Sequence, residues 1–212
     1  MTHTAITDLQ PFLAASEYID WQHPEIKSKA ARLASCYSSN RDIAHGCYLF
    51  VRDEIKHSGD WQLSPTTCKA SEVLRSSHGW CYAKSHLLVA LLRANSIPAG
   101  LCYQRLTIEG DVPPFCIHGL VAVYLDDFGW YRIDPRGHKE GVTADFCPPG
   151  EKLAFSIISE GEADLPGIFA EPVKSVIDCL HKYQTYKDFA RNLPDSAPSE
   201  WSPQGVAELH SH

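Results

Sequence analysis

The chain has 212 residues, 44% of them hydrophobic and 21% charged, with a formal net charge of −7. That length suits one well-buried core and is short for two, and the apolar content is too high for a disordered chain. No apolar run approaches the roughly 20 residues of a membrane helix, and the acidic balance speaks against a surface built for phosphates. The first residues, Met-Thr-His-Thr-Ala-Ile-Thr-Asp, carry neither a basic nor an apolar leader region, so a cytoplasmic protein that engages neither membrane nor nucleic acid is expected.

In chain order, Pro24 suits the first position of a helix, because its missing N–H has no acceptor there anyway. Ile26, Ala30, Leu33, Ala34 and Tyr37 follow at helical spacing. Asn40 reads as the N-cap of a second helix running to about His57, with Ile43, Cys47, Phe50, Val51 and Ile55 on one face. A loop with Gly59 and Pro65 leads to a short helix over Ala70–Ser76. Tyr82–Asn95 is apolar nearly all round, which marks a central, buried helix. It stops at Asn95-Ser96, where a left-handed cap is tolerated, before Pro98.

Ala99–Ile108 reads as a strand, and residues 118–134 as a hairpin turning at Asp126-Asp127-Phe128-Gly129. Lys152–Ile158 is a candidate further strand, and Pro172 to Arg191 a last amphipathic helix. From Asn192 onward Pro, Ser and Glu dominate, so residues 192–212 read as a disordered tail and 1–191 as one domain. The expected class is α+β: helices first, then an antiparallel sheet, then a packing helix.

Eight cysteines lie at 36, 47, 68, 81, 102, 116, 147 and 179, with no Cys-x-x-Cys pair. In a reducing compartment they are free thiols, most of them small buried hydrophobes. Cys81 differs by position. It opens the most buried helix two residues after Gly79, where unpaired N–H groups and the helix dipole favour a thiolate. Gly79 would let a substrate carbonyl approach the backbone. Amide chemistry also needs a proton carrier and a group to orient it. His118, at the start of the central strand, and Asp134, at the end of the return strand, are the candidates. Their separation of 16 is even, so they share a face only if the hairpin loop holds an odd number of residues.

These residues resemble a family. Gly79-Trp80-Cys81, followed by an apolar helix ending Leu91-Leu92-Arg93-Ala94-Asn95-Ser96-Ile97-Pro98-Ala99, is similar to the nucleophile segment of the transglutaminase-like superfamily. His118 to Tyr124, then Gly129-Trp130-Tyr131-Arg132-Ile133-Asp134-Pro135, is similar to its His and Asp segments in the same order, and Ala70–Ser76 to its approach to the cysteine. The likeness spans about residues 45–137. It implies a papain-like core, with a Cys-bearing helix packed on an antiparallel sheet and no cofactor or metal. By position it makes Cys81 the nucleophile, His118 the general base and acid, and Asp134 the orienting carboxylate.

The chain departs from the family at Ser96, where Gly is usual and Asn95 can serve as the cap instead. It departs again at Leu120, where Trp is common, and at Arg136, where Thr is common. Arg136 is read either as a partner for an anionic substrate group or as a surface arginine.

The implied reaction is acyl transfer through a Cys81 thioester, as in a cysteine protease or amidase acting on a peptide, protein or small amide. An amine in place of water would make it a transamidase. The backbone N–H of Cys81 serves as one oxyanion donor, with Trp80 beside it, and Trp61 or Gln62 are candidates for the second. Two other readings stay open. One is a non-catalytic module; the other is zinc held by His78, Cys81, Cys116 and His118, although their spacing matches no standard finger.

Overall fold

A computed structural model describes residues 8–197. Its organising element is the apolar helix, here α5, while α1 spans Pro24–Ala34, α2 Asn40–Leu49, α3 Ser58–Trp61, α4 Ala70–Ser76 and α5 Cys81–Ala94. Every α5 residue from Cys81 to Arg93 is buried. Helices α1, α2 and α4 pack against it, as do β3 and β4 of the sheet. Several polar members of α5 find partners outside the helix, although Ser85 Oγ and His86 Nε2 have none among the described residues. His86 Nδ1 lies 2.8 Å from the Cys68 carbonyl. Arg93 donates to the carbonyls of Ala14, Ala99 and Ala170 at 2.7–3.0 Å.

The main sheet contains β3 (Ala99–Thr107), β4 (Phe115–Leu125), β5 (Gly129–Ile133) and β6 (Ala163–Asp164), in the order β5-β4-β3-β6 and antiparallel throughout. Leu101, Tyr103, Ile117, Val121, Val123 and Ile133 belong to the main core with α5. The alternate positions Cys102, Leu120 and Ala122 form a second cluster with Phe12 and Ile168. Leu120 is thus a core side chain. β4 and β5 pair Leu125 with Gly129, enclosing three residues, Asp126-Asp127-Phe128. The odd loop is the condition under which His118 and Asp134 share a face. Its centre is Asp127.

The architecture is the α+β arrangement of helices on a curled antiparallel sheet, with local differences from the expected elements. The second helix is capped by Ser39, whose hydroxyl oxygen accepts from Asp42 N, and Asn40 is its first residue. It does not run to His57: α2 ends at Leu49, a π-helical turn covers Phe50–Glu54, and Ile55 is extended. The cause is tertiary. Lys84 of α5 donates to the carbonyls of Arg52 and Ile55, groups that a continuing helix would have used itself. The chain then forms β1 (Lys56–His57), parallel to β2 (His78–Gly79), with His57 opposite Gly79.

Asn95 is the C-cap residue of α5, with φ −96, and Ser96 after it takes the left-handed conformation, with φ +60. Lys152–Ile158 forms no strand. Its only ladder contact is the Lys152–Asp145 bridge, and the N–H groups of Ala154 and Ile158 donate to Asp134 and Glu162. The fourth strand is β6 instead. The expected last helix is split into α6 (Lys174–Lys182) and α7 (Tyr186–Ala190). Thr66 captures the carbonyls of Tyr183 and Gln184 at the break, and Thr185 caps α7. Of the segment expected to be disordered, 192–197 lies along β4, where the Pro194 carbonyl accepts from Ile117 N at 2.8 Å. Residues 198–212 lie outside the described residues. No helix among the described residues is long and apolar enough to cross a membrane.

Candidate active site

Cys81 is the first residue of α5, after Trp80 in extended conformation. The first N–H groups of a helix have no intrahelical acceptor, so they face the space around its start. Trp80 is held by stacking on Phe189, with ring centroids 4.6 Å apart, and by edge contact with His57 at 5.5 Å. Gly119 of β4 brings strand and helix together. A Cβ there would lie 3.0 Å from Tyr82 Cδ1 and 3.2 Å from Tyr82 Cα. The neighbouring His118 is thereby set beside Cys81.

His118 Nε2 is 2.8 Å from Asp134 Oδ2, both side chains being buried. That engagement leaves Nδ1 as the ring nitrogen available to the thiol. Asp134 also accepts from Ala154 N at 3.2 Å and, through Oδ1, from Arg136 N at 3.0 Å. Burial raises its pKa, but the His118 charge and these donors outweigh it and hold the carboxyl below its usual range. Burial likewise disfavours charge on His118, yet Asp134 and Cys81 raise it to about 10. For Cys81, burial opposes ionisation, while the charge and hydrogen bonding of His118 and then of His57 bring the thiol down to about 6. All eight cysteines are free. Burial pushes Cys47, Cys68, Cys102 and Cys116 up to about 12, and Cys179 to about 11. The same thiol chemistry therefore splits by location: burial raises these five, while the helix-opening cysteine is brought down.

The remaining candidates fall out differently. Gly79 packs inward: a Cβ there would lie 3.1 Å from Ala83 Cβ and 3.2 Å from Thr67 Oγ1, so its smallness serves the first turn of α5 and not a substrate. Trp61 is 61% exposed, with Lys56 over its ring. Gln62 takes the left-handed position that ends α3. Neither lines the cleft that holds Cys81. Arg136 is neither free for an anion nor on the surface. It is 5% exposed and binds Asp60 through both terminal nitrogens, at 2.6 and 2.8 Å.

The residue beside Cys81 that sequence reasoning missed is His57. It is carried there by the β1–β2 pairing and stands 3.5 Å from Asp60 through Nδ1. Asp60 therefore braces both Arg136 and His57. Nothing in the sequence separates His57 from the other histidines near α5, since a two-residue strand has no periodicity to read.

The zinc set is not assembled: His78 Nδ1 is 3.0 Å from Ser58 Oγ, and His118 Nε2 is engaged by Asp134. No group of three His, Cys, Asp or Glu side chains suited to a metal ion occurs among the described residues. Cys81 and His118 open into a cleft of about 640 Å³ that His57, Trp80, Arg136 and Phe155 help to line.

The profile of the transglutaminase-like superfamily matches residues 27–135, just over half the chain. The chain belongs to that superfamily. Similar solved structures include a candidate cysteine protease from Cytophaga hutchinsonii, at 21% identity over 61% of this chain and 42% of that one, with a TM-score of 0.49. Another is the periplasmic domain of TgpA from Pseudomonas aeruginosa, at 17% identity over 61% and 48%, with a TM-score of 0.45. A protein described as a TGase shares 18% identity over 62% and 35%, with a TM-score of 0.39. The chain spans less than half the length of each of these structures. Comparison with curated proteins finds no match.

Gly119 gives a direct test of how the site is positioned. Gly119→Ala should push the start of α5 from β4 and lower the rate of Cys81 alkylation by iodoacetamide, and any amide turnover, by about a hundredfold. Circular dichroism should still report a folded protein. Unchanged alkylation would show that the close approach does not set the Cys81–His118 geometry.

Proposed function

We propose that the protein hydrolyses an amide bond through a Cys81 thioester. The observation that carries this reading is the buried His118–Asp134 pair set beside a thiol of lowered pKa at the start of α5, within one open cleft. In this reaction the Cys81 thiolate adds to the carbonyl carbon, and the carbonyl π electrons move to oxygen. The Cys81 N–H and the His57 side chain receive that oxyanion. As it collapses, the C–N bond breaks and the His118 Nδ1 proton goes to the leaving amine. Water then adds to the thioester with His118 as base, the C–S bond breaks, and carboxylic acid and thiolate are released. Asp134 keeps the ring oriented and favours its charged form. A thiolate that must stay reduced, in a chain with seven further free thiols, suits the cytoplasm.

The sign of the pH dependence follows from the two shifts. Below about 6 the thiol gains a proton and stops attacking; above about 10 the imidazole loses the proton owed to the leaving amine. Release of nitroaniline from peptidyl nitroanilides should therefore form a plateau between these limits. Mass spectrometry of the acyl product, with and without an added primary amine, distinguishes a carboxylic acid from an amide. Predominant amide in dilute amine would assign transamidation instead. No acyl product from a broad peptide panel, with Cys81 no more reactive than Cys36, would overturn the enzyme reading.

A further inference from the structure

Two of the charged groups that line the cleft around Cys81, Arg136 and Glu162, are held by close partners, while the half-exposed Lys139 is only loosely engaged. Arg136 is bound by Asp60 through two nitrogens, and Lys139 Nζ also faces Asp60, at 3.5 Å. Glu162 accepts four hydrogen bonds, from Thr107 N and Oγ1 through one oxygen and from Ile158 N and Ser159 N through the other, all at 2.8–3.0 Å. The apolar side chains of the same cleft have no such partners. In the β3–β4 register Leu106 faces Cys116, two residues from His118, and the Ile108 N–H reaches the Pro114 carbonyl at 3.0 Å. Leu106, Cys116 and Ile108 thus continue the strand positions that carry His118 toward the open end of the hairpin.

Ile158 meets them from the loop before β6. Ile108 is 46% exposed and Ile158 80% exposed. Of the five large hydrophobic side chains exposed among the described residues, these two line the Cys81 cleft, and Val112 is exposed on the same β3–β4 connection as Ile108. They are not on slack chain: Glu162 ties the end of β3 to the Ile158 loop, Ser159 Oγ reaches Asp111 at 3.3 Å, and Arg105 holds the Gly161 carbonyl at 3.0 Å. Side chains kept in water by an ordered frame forgo the burial that would otherwise favour them, as a surface awaiting an apolar ligand does.

We propose that Leu106, Ile108, Cys116 and Ile158 form a specificity subsite that takes an aliphatic or aromatic side chain of the amide substrate. This rests on the Cys81 acyl-transfer reading above and names its substrate class: amides flanked by a hydrophobic group. Cys81 alkylation tests it without needing the natural substrate. Two iodoacetamides of similar length are used, one N-hexyl and one N-carboxypentyl, each compared with plain iodoacetamide on the same protein by mass spectrometry. The hexyl probe should label Cys81 about tenfold faster than the carboxylate probe. In Ile158→Ser and Ile108→Ser that preference should shrink toward unity. Equal rates in the unaltered protein, or a preference that survives both substitutions, would overturn the subsite. Plain iodoacetamide reacting no faster at Cys81 than at the exposed Cys36 would overturn the acyl-transfer reading itself, and the subsite with it.

Discussion

Cys81→Ala is expected to lower kcat/KM for amide turnover by about 10⁴-fold or more, because without the sulfur no thioester can form. The fold should be nearly unaffected. Cys81 is one small buried side chain at a helix start, and its removal leaves the His118–Asp134 bond and the packing of α5 in place. A change in stability within about 1 kcal/mol is expected. Comparing turnover and thermal unfolding of the two proteins checks both halves. Substantial turnover in the alanine variant would remove the nucleophile from the mechanism.

Asp134→Asn is the second large effect, and its cause is different. Every neighbour of the Asp134 carboxylate is a donor: His118 Nε2, Ala154 N and Arg136 N. An asparagine must turn its NH₂ toward one of them, and it carries no charge to favour the imidazolium. The rate should fall by about 10³-fold. The same loss should move the thiolate: with His118 less readily charged, Cys81 should ionise at higher pH than in the unaltered protein. An alkylation–pH profile reads this shift apart from any general damage. An unshifted profile would mean that Asp134 supports structure only.

Much of the site was legible because its parts sit where local rules are strong. The cysteine follows a Gly-x-Cys start on a helix too apolar to lie on a surface, and the His and Asp flank a hairpin whose loop length fixes their common face. What escaped notice is made by tertiary contact. Lys84 turns the expected end of α2 into a π turn by taking its carbonyls, and only then does His57 pair beside Gly79. The oxyanion candidates Trp61 and Gln62 lie outside the Cys81 cleft, which His57 lines a few residues earlier. Asp60 likewise decides the fate of Arg136: an arginine two residues from Asp134 invites an anionic substrate until the carboxylate that binds it is seen. β6 is two residues long, and no pattern of alternation exists at that length to be read.

The guanidinium at the far end of α5 links the superfamily stretch to the segments on either side of it. Arg93 lies within the stretch shared with the superfamily, but two of its carbonyl partners, on Ala14 and Ala170, come from outside residues 27–135. The shared stretch therefore borrows two of the groups that satisfy its buried arginine from the flanking segments. Trimming the chain to it would leave that buried cation with the Ala99 carbonyl alone of its three partners, on the helix that opens with Cys81.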